Sequence, residues 1–79
     1  MTVNELIRKL ESVENKDRIV VLARDEEGNG FQELRDINLD NSSFKDAEMG
    51  LEHLTPELKK EGYSEEDIIN GQSCIVLWP

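Results

Sequence analysis

Apolar positions recur along this chain with two different periods, and the change of period marks its elements. Val3, Leu6, Ile7, Leu10 and Val13 fall at helical spacing and form one stripe, with Arg8, Lys9, Glu11 and Glu14 between them. Thr2 ahead of the stripe and Glu5 three residues on predict a capped helix start. Asn15-Lys16-Asp17 breaks the pattern, so the helix is expected to stop near Val13. Ile19-Val20-Val21-Leu22-Ala23 is an unbroken, largely β-branched run. Such a run predicts a strand over about 18–24 that is central in its sheet or covered on both faces. Asp25-Glu26-Glu27-Gly28-Asn29-Gly30 predicts a tight reversal, because Gly and Asn tolerate positive φ. Phe31, Leu34, Ile37 and Leu39 then predict a returning antiparallel strand over 31–39, bulged or bent near Leu34.

Residues 40–53 carry no clear period. Asp40-Asn41-Ser42-Ser43 reads as loop, and Phe44, Met49 and Leu51 are isolated apolar pins in an irregular segment. Beyond it, Thr55-Pro56-Glu57 is a strong helix start, and Lys59, Lys60 and Gly62 suit the end of a helix over about 55–61. Ser64-Glu65-Glu66-Asp67 starts a second short helix over about 64–70 by the same logic. Ser73-Cys74-Ile75-Val76-Leu77-Trp78 predicts a last strand over 73–78. The expected fold is α+β, a single domain over 1–79. Its N-terminal helix packs on a three-stranded sheet of order 2-1-3 with open edges.

Length and charge narrow the function. A chain of 79 residues buries about 60% of the surface its unfolded form exposes, which excludes a two-domain enzyme, a doubly wound nucleotide fold and a barrel. Nine Lys and Arg against 18 Asp and Glu give a formal charge of −9, the wrong sign for direct nucleic-acid binding. No apolar run approaches the ~18 residues of a membrane span, and no secretion leader is expected. One cysteine, Cys74, forms no internal disulfide, so the expected setting is the cytoplasm of a host cell. The acidity is uneven. Residues 1–39 hold 9 acids and 6 bases, a net of −3, and residues 40–79 hold 9 acids and 3 bases, a net of −6.

Few residues offer chemistry. Asp25, Glu27, Asn29, the Phe31 carbonyl, Glu33 and Asp36, with Gly30 at the sharp turn, follow the spacing of a calcium loop. The match departs at Glu27, at Asp36 where a bidentate Glu belongs, at Gln32 where an apolar residue packs, and in having strands as flanks. A solvated hairpin turn is the plainer reading. His53 and Cys74 are one histidine and one cysteine with no third orienting group, and a thiol among apolar strand residues is inert. Carboxylate pairs such as Asp25/Glu27 and Glu61/Glu65 lack a cleft that would hold a sugar. No catalytic residue and no cofactor is expected. Trp78 is either core or an interface anchor. The remaining candidate is a negative face formed by Glu48, Glu52, Glu57, Glu61, Glu65, Glu66 and Asp67, suited to a protein with a basic surface.

Thr2-Val3-Asn4-Glu5-Leu6-Ile7 with Leu10, the strand Ile19–Leu22, the Asp-Glu-Glu-Gly-Asn-Gly turn, Leu54-Thr55-Pro56-Glu57-Leu58, Gly62-Tyr63-Ser64-Glu65-Glu66-Asp67 and Cys74-Ile75-Val76-Leu77-Trp78-Pro79 resemble small acidic proteins encoded by bacteriophages and prophages. The likeness covers about half the chain, and its motifs are structural. It implies a cytoplasmic phage accessory protein and brings no assigned activity and no catalytic residues. Small size, missing catalytic groups, strong acidity and this likeness together lead to the expectation of a non-enzymatic protein-binding module, an inhibitor or modulator of a host nucleic-acid-handling or defence protein, as monomer or homodimer. A small-ligand or metal-binding module, or an assembly protein that pairs through a sheet edge, are the alternatives.

Overall fold

Thr2 starts the first element as its side chain predicts. In the computed structural model, which describes every residue from Met1 to Pro79, its Oγ1 accepts from the Glu5 amide at 3.2 Å, and helix α1 runs Val3–Glu11. Two side chains close the far end. The Ser12 hydroxyl donates to the Arg8 carbonyl, and the Lys16 ammonium donates to the carbonyls of Val13 (2.6 Å) and Glu11 (3.3 Å). These are carbonyls that a helix end leaves without intrahelical partners. Strand β1 (Val21–Ala23) pairs antiparallel with β2 (Phe31–Glu33), Leu22 opposite Gln32. The chain divides into two compact units, and α1, β1 and β2 make up the first, Met1–Glu33.

The second unit, Leu34–Pro79, holds the rest. Strand β3 (Asp36–Asn38) pairs with β7 (Val76–Trp78). Strands β4 (Ser42–Lys45), β5 (Glu48–Leu51) and β6 (Gln72–Ser73) form an antiparallel sheet of order β5-β4-β6. Between β5 and β6 lie helix α2 (Pro56–Lys60) and a 3-10 turn (Glu65–Asp67). Both follow the caps read from sequence. The Thr55 hydroxyl accepts from the Leu58 amide at 3.2 Å, and the Asp67 carboxylate accepts from the Ser64 amide at 2.8 Å. Gly62, after α2, takes φ +105°.

The fold is α+β, with more strands than expected and a different sheet. No three-stranded sheet of order 2-1-3 forms: strands lie in two ribbons and one three-stranded sheet. The strand expected over 31–39 changes partner at its bend. Its ladder with β1 ends at Glu33, and Arg35 already donates to the Trp78 carbonyl (3.0 Å). The strand expected over 73–78 is divided in the same way. Gln72–Ser73 pairs with β4 and Val76–Trp78 with β3, while the Cys74 amide between them donates to the Ser42 carbonyl. The run 18–24 supplies only three paired residues because its sole neighbour, β2, is three residues long. Most of that run stays exposed, Ile19 to 71%, and only Leu22 is half-buried. Within its unit, α1 makes no extensive contact with β1 or β2, and it buries none of its residues.

The irregular segment expected over 40–53 is instead a β-hairpin, Ser42 opposite Leu51 and Lys45 opposite Glu48. Its two turn residues, Asp46 (φ 52°) and Ala47 (φ 65°), both take positive φ, the requirement of a type I′ turn. The helix expected over 64–70 shortens to the three-residue 3-10 turn, because Ile68 returns to extended backbone and bridges Leu51. The buried residues are Ser42 and Ser43, and no apolar side chain is fully buried.

Candidate functional site

The acidic candidates stand on the second unit, and the hairpin is what places them. Asn41 sets its start. In a left-handed conformation (φ 56°), it turns its side chain alongside the β5 end. Its Oδ1 accepts from the amides of Glu52 (3.0 Å) and His53 (2.8 Å), and its Nδ2 donates to the His53 carbonyl (2.9 Å). One side chain thus extends the ladder beyond the last backbone bond, from the Glu52 amide to the Asn41 carbonyl (3.4 Å).

Side chains alternate across a strand, so Glu48, Gly50 and Glu52 share one face with Ser43 and Lys45 of β4. The segment after the 3-10 turn crosses that face. A Cβ built on Gly50 would stand 2.6 Å from the Asp67 carbonyl oxygen and 2.7 Å from Ile69 Cγ1. The Ile69 amide donates to the Leu51 carbonyl (3.0 Å), and the Gly71 amide to the Ser43 hydroxyl (3.0 Å). The absent side chain at Gly50 therefore lets the backbone of Asp67 lie directly on β5, between Glu48 and Glu52. Gly71 is held as closely, against the Phe44 carbonyl.

Of the seven acids, Glu48 and Glu52 belong to the hairpin segment and Glu65, Glu66 and Asp67 to the 3-10 turn, and the crossing places the backbone of Asp67 against the strand that carries Glu48. Two of them have internal duties: Glu52 accepts from the Ser73 hydroxyl at 2.7 Å, and Asp67 from the Ser64 amide. Glu57 and Glu61 sit on α2, four residues apart and so on one side of it. All seven are exposed.

No family model, curated protein or solved structure matches the chain.

The other sequence candidates are placed as follows. Asp25 organises the turn between β1 and β2. Its Oδ1 accepts from the amides of Glu27 (3.0 Å) and Asn29 (3.1 Å), and its Oδ2 from Asn29 Nδ2 (3.2 Å). These donors hold its carboxyl below the ordinary 3.8, the Asn29 amide first among them. Glu27 takes part in the same turn, accepting from Asn29 Nδ2. Asp36 belongs to the other unit, in β3, where it accepts from the Ile37 amide. No group of three or more His, Cys, Asp or Glu side chains comes together to hold a metal ion. His53 is exposed and its backbone is tied to Asn41; Cys74 is half-buried and free. Trp78, in β7, is 44% exposed. No helix is long and apolar enough to cross a membrane. Sequence reading missed Asn41, Ser42, Ser43 and Gly50. Asn at a possible left-handed position and Gly50 between apolar neighbours were the available signals.

Proposed function

We propose that this chain is a non-enzymatic binding protein whose second unit presents Glu48, Glu52, Glu57, Glu61, Glu65, Glu66 and Asp67 to a partner with a basic surface. The observation that supports the reading is that all seven carboxylates are exposed on one unit, where the segment after the 3-10 turn is fastened to the hairpin by hydrogen bonds. A fixed negative face attracts the same lysines and arginines that hold nucleic-acid phosphates. The motifs resembling phage-encoded accessory proteins make a host nucleic-acid-handling or defence protein the partner class, in the host cytoplasm. The protein would act there as inhibitor or modulator by occupying a basic groove.

The test is affinity capture from host lysate at low and high salt, with the wild-type chain and a Glu61→Lys/Glu65→Lys/Glu66→Lys variant. A nucleic-acid-binding protein retained by the wild type, released by salt or by added nucleic acid and ignored by the variant is the expected result. Retention of the same protein by the variant, or indifference to salt, overturns the reading.

A further inference from the structure

The chain contains the dipeptide Asn-Gly twice, at Asn29-Gly30 and at Asn70-Gly71. This pair is open to internal attack, because glycine has no Cβ to keep its backbone nitrogen away from the preceding side chain. That nitrogen can close on the asparagine side-chain carbon Cγ and expel ammonia. Both asparagines are exposed, yet the fold treats the two glycine nitrogens in opposite ways.

At the second pair the nitrogen is occupied. The Gly71 amide donates to the hydroxyl of Ser43, which is 2% exposed, at 3.0 Å. Gly71 is also pressed against the Phe44 carbonyl so closely that no Cβ would fit. Attack there requires the segment to leave β4 first, a local opening with its own cost.

At the first pair the nitrogen is unoccupied. The Gly30 carbonyl accepts from the Arg24 amide at 2.8 Å, whereas the Gly30 amide donates to no group. Gly30 is half-buried beneath the Arg24 side chain, whose Cζ lies 3.4 Å from where a Cβ would stand. A cation there favours the anion that the amide nitrogen becomes on losing its proton, and the oxyanion that forms at Asn29. The Asn29 side chain is held by exposed bonds from Nδ2 to Asp25 (3.2 Å) and Glu27 (3.3 Å), which water replaces at small net cost.

We propose that Asn29 is a self-modification site, converted to aspartate or isoaspartate through a cyclic imide, and that the fold withholds this conversion from Asn70. The Gly30 nitrogen forms a bond to Asn29 Cγ, the Cγ–Nδ2 bond breaks, and the Gly30 amide proton leaves with Nδ2 as ammonia. Water then opens the ring. Cleavage of the new bond to Cγ gives aspartate, and cleavage of the original peptide bond gives isoaspartate, with the chain running on through Cγ. Either product exchanges two hydrogen-bond donors for a carboxylate facing those of Asp25 and Glu27, and like charges repel. Isoaspartate also lengthens the backbone beside the Arg24–Gly30 bond. The β1–β2 ribbon has only three residue pairs, so the conversion loosens it irreversibly.

Warm, mildly alkaline incubation of the full chain, followed by protease digestion and mass spectrometry of both Asn-Gly peptides, tests the proposal. Asn29 is expected to convert at least about tenfold faster than Asn70, the order of rate that one hydrogen bond and its packing withhold. In denaturant the difference should collapse. Gly30→Ala should slow conversion at Asn29, and Ser43→Ala should speed conversion at Asn70 alone. In the converted chain the Arg24 amide should exchange faster with solvent. Equal rates in the native chain overturn the proposal, and so does a difference that survives denaturant undiminished, since it would then come from local sequence alone. An unslowed Gly30→Ala chain, an unchanged Asn70 rate in a folded Ser43→Ala chain, or an Arg24 amide that exchanges as slowly after conversion as before also overturns it.

Discussion

In the first unit the residues that define the elements are large, apolar and about half exposed; in the second, the tightest positions belong to Ser42, Ser43, Gly50 and Gly71. The first unit is thus written in its side chains. The second is written in its backbone. Its segments approach so closely that two serines are its buried residues and two glycines stand at the closest approaches, and each buried hydroxyl has a partner: Ser42 donates to the Asp40 carbonyl, and Ser43 accepts from Gly71. The contrast teaches that a small chain can order a segment through complete hydrogen bonding where it has no apolar mass to bury.

Substitution at glycine breaks or sharpens this contrast most. Gly50→Ala puts a methyl group on the Asp67 carbonyl and Ile69, and is expected to destabilise by about 3 kcal/mol, the upper part of the overpacking range. In the first unit, Gly30→Ala meets only the flexible Arg24 side chain at 3.4 Å and should cost no more than about 0.5 kcal/mol. Denaturant titration of both variants measures the difference, and equal losses would erase the distinction between the units.

Asn41→Ala comes next. It removes three hydrogen bonds from a side chain that stands in for backbone, with an expected loss of about 2 kcal/mol. Hydrogen exchange should then quicken first at Glu52 and His53. Slow exchange persisting at both amides would mean that the backbone holds this end of the hairpin unaided.

A gain of about 1 kcal/mol is expected for Ala47→Gly, because Ala47 sits at φ 65°, a conformation that a Cβ penalises. Thermal unfolding checks it, and an unchanged or lower midpoint contradicts the I′ turn.

The smallest effect is the acid response of the first unit. The Asp25 carboxyl is held below 3.8, so it stays ionised in the folded turn at pH values where the unfolded chain binds a proton. Its contribution is complete above that unfolded value and is lost as pH falls through the lower, folded one. The amide resonances of Glu27 and Asn29 should move in that acid range. Asp25→Asn should abolish the shift; an identical shift in that variant would assign it to another group.

The helix starts and turns of both units were legible in sequence, because capping side chains and Gly-Asn-Gly turns act locally. Thr2, Thr55, Gly62 and the Asp25 turn all behave as read. The burial implied by Ile19–Ala23 was not visible as such, since a β-branched run signals the need for a cover without naming what supplies it. The β4–β5 hairpin was hidden for a different reason. Ser-Ser-Phe-Lys and Glu-Met-Gly-Leu contain no β-branched residue, and Asp-Ala replaces the Asn-Gly that usually announces a I′ turn. The two divided strands escaped because a change of partner at Leu34 or Cys74 depends on residues far away in sequence. The acids of the candidate face were legible one by one, whereas the crossing that lays Asp67 against the hairpin depends on a side chain that Gly50 lacks.

The pairing of β3 with β7 joins Ile37 to Leu77 across forty residues of chain. At the ribosome's ~5–20 residues per second, Ile37 is made roughly 2–8 s before its partner. Throughout that interval the nascent β3 edge is open to any strand that meets it, so the pace of translation itself helps decide whether this chain pairs with its own later residues or with a neighbour's.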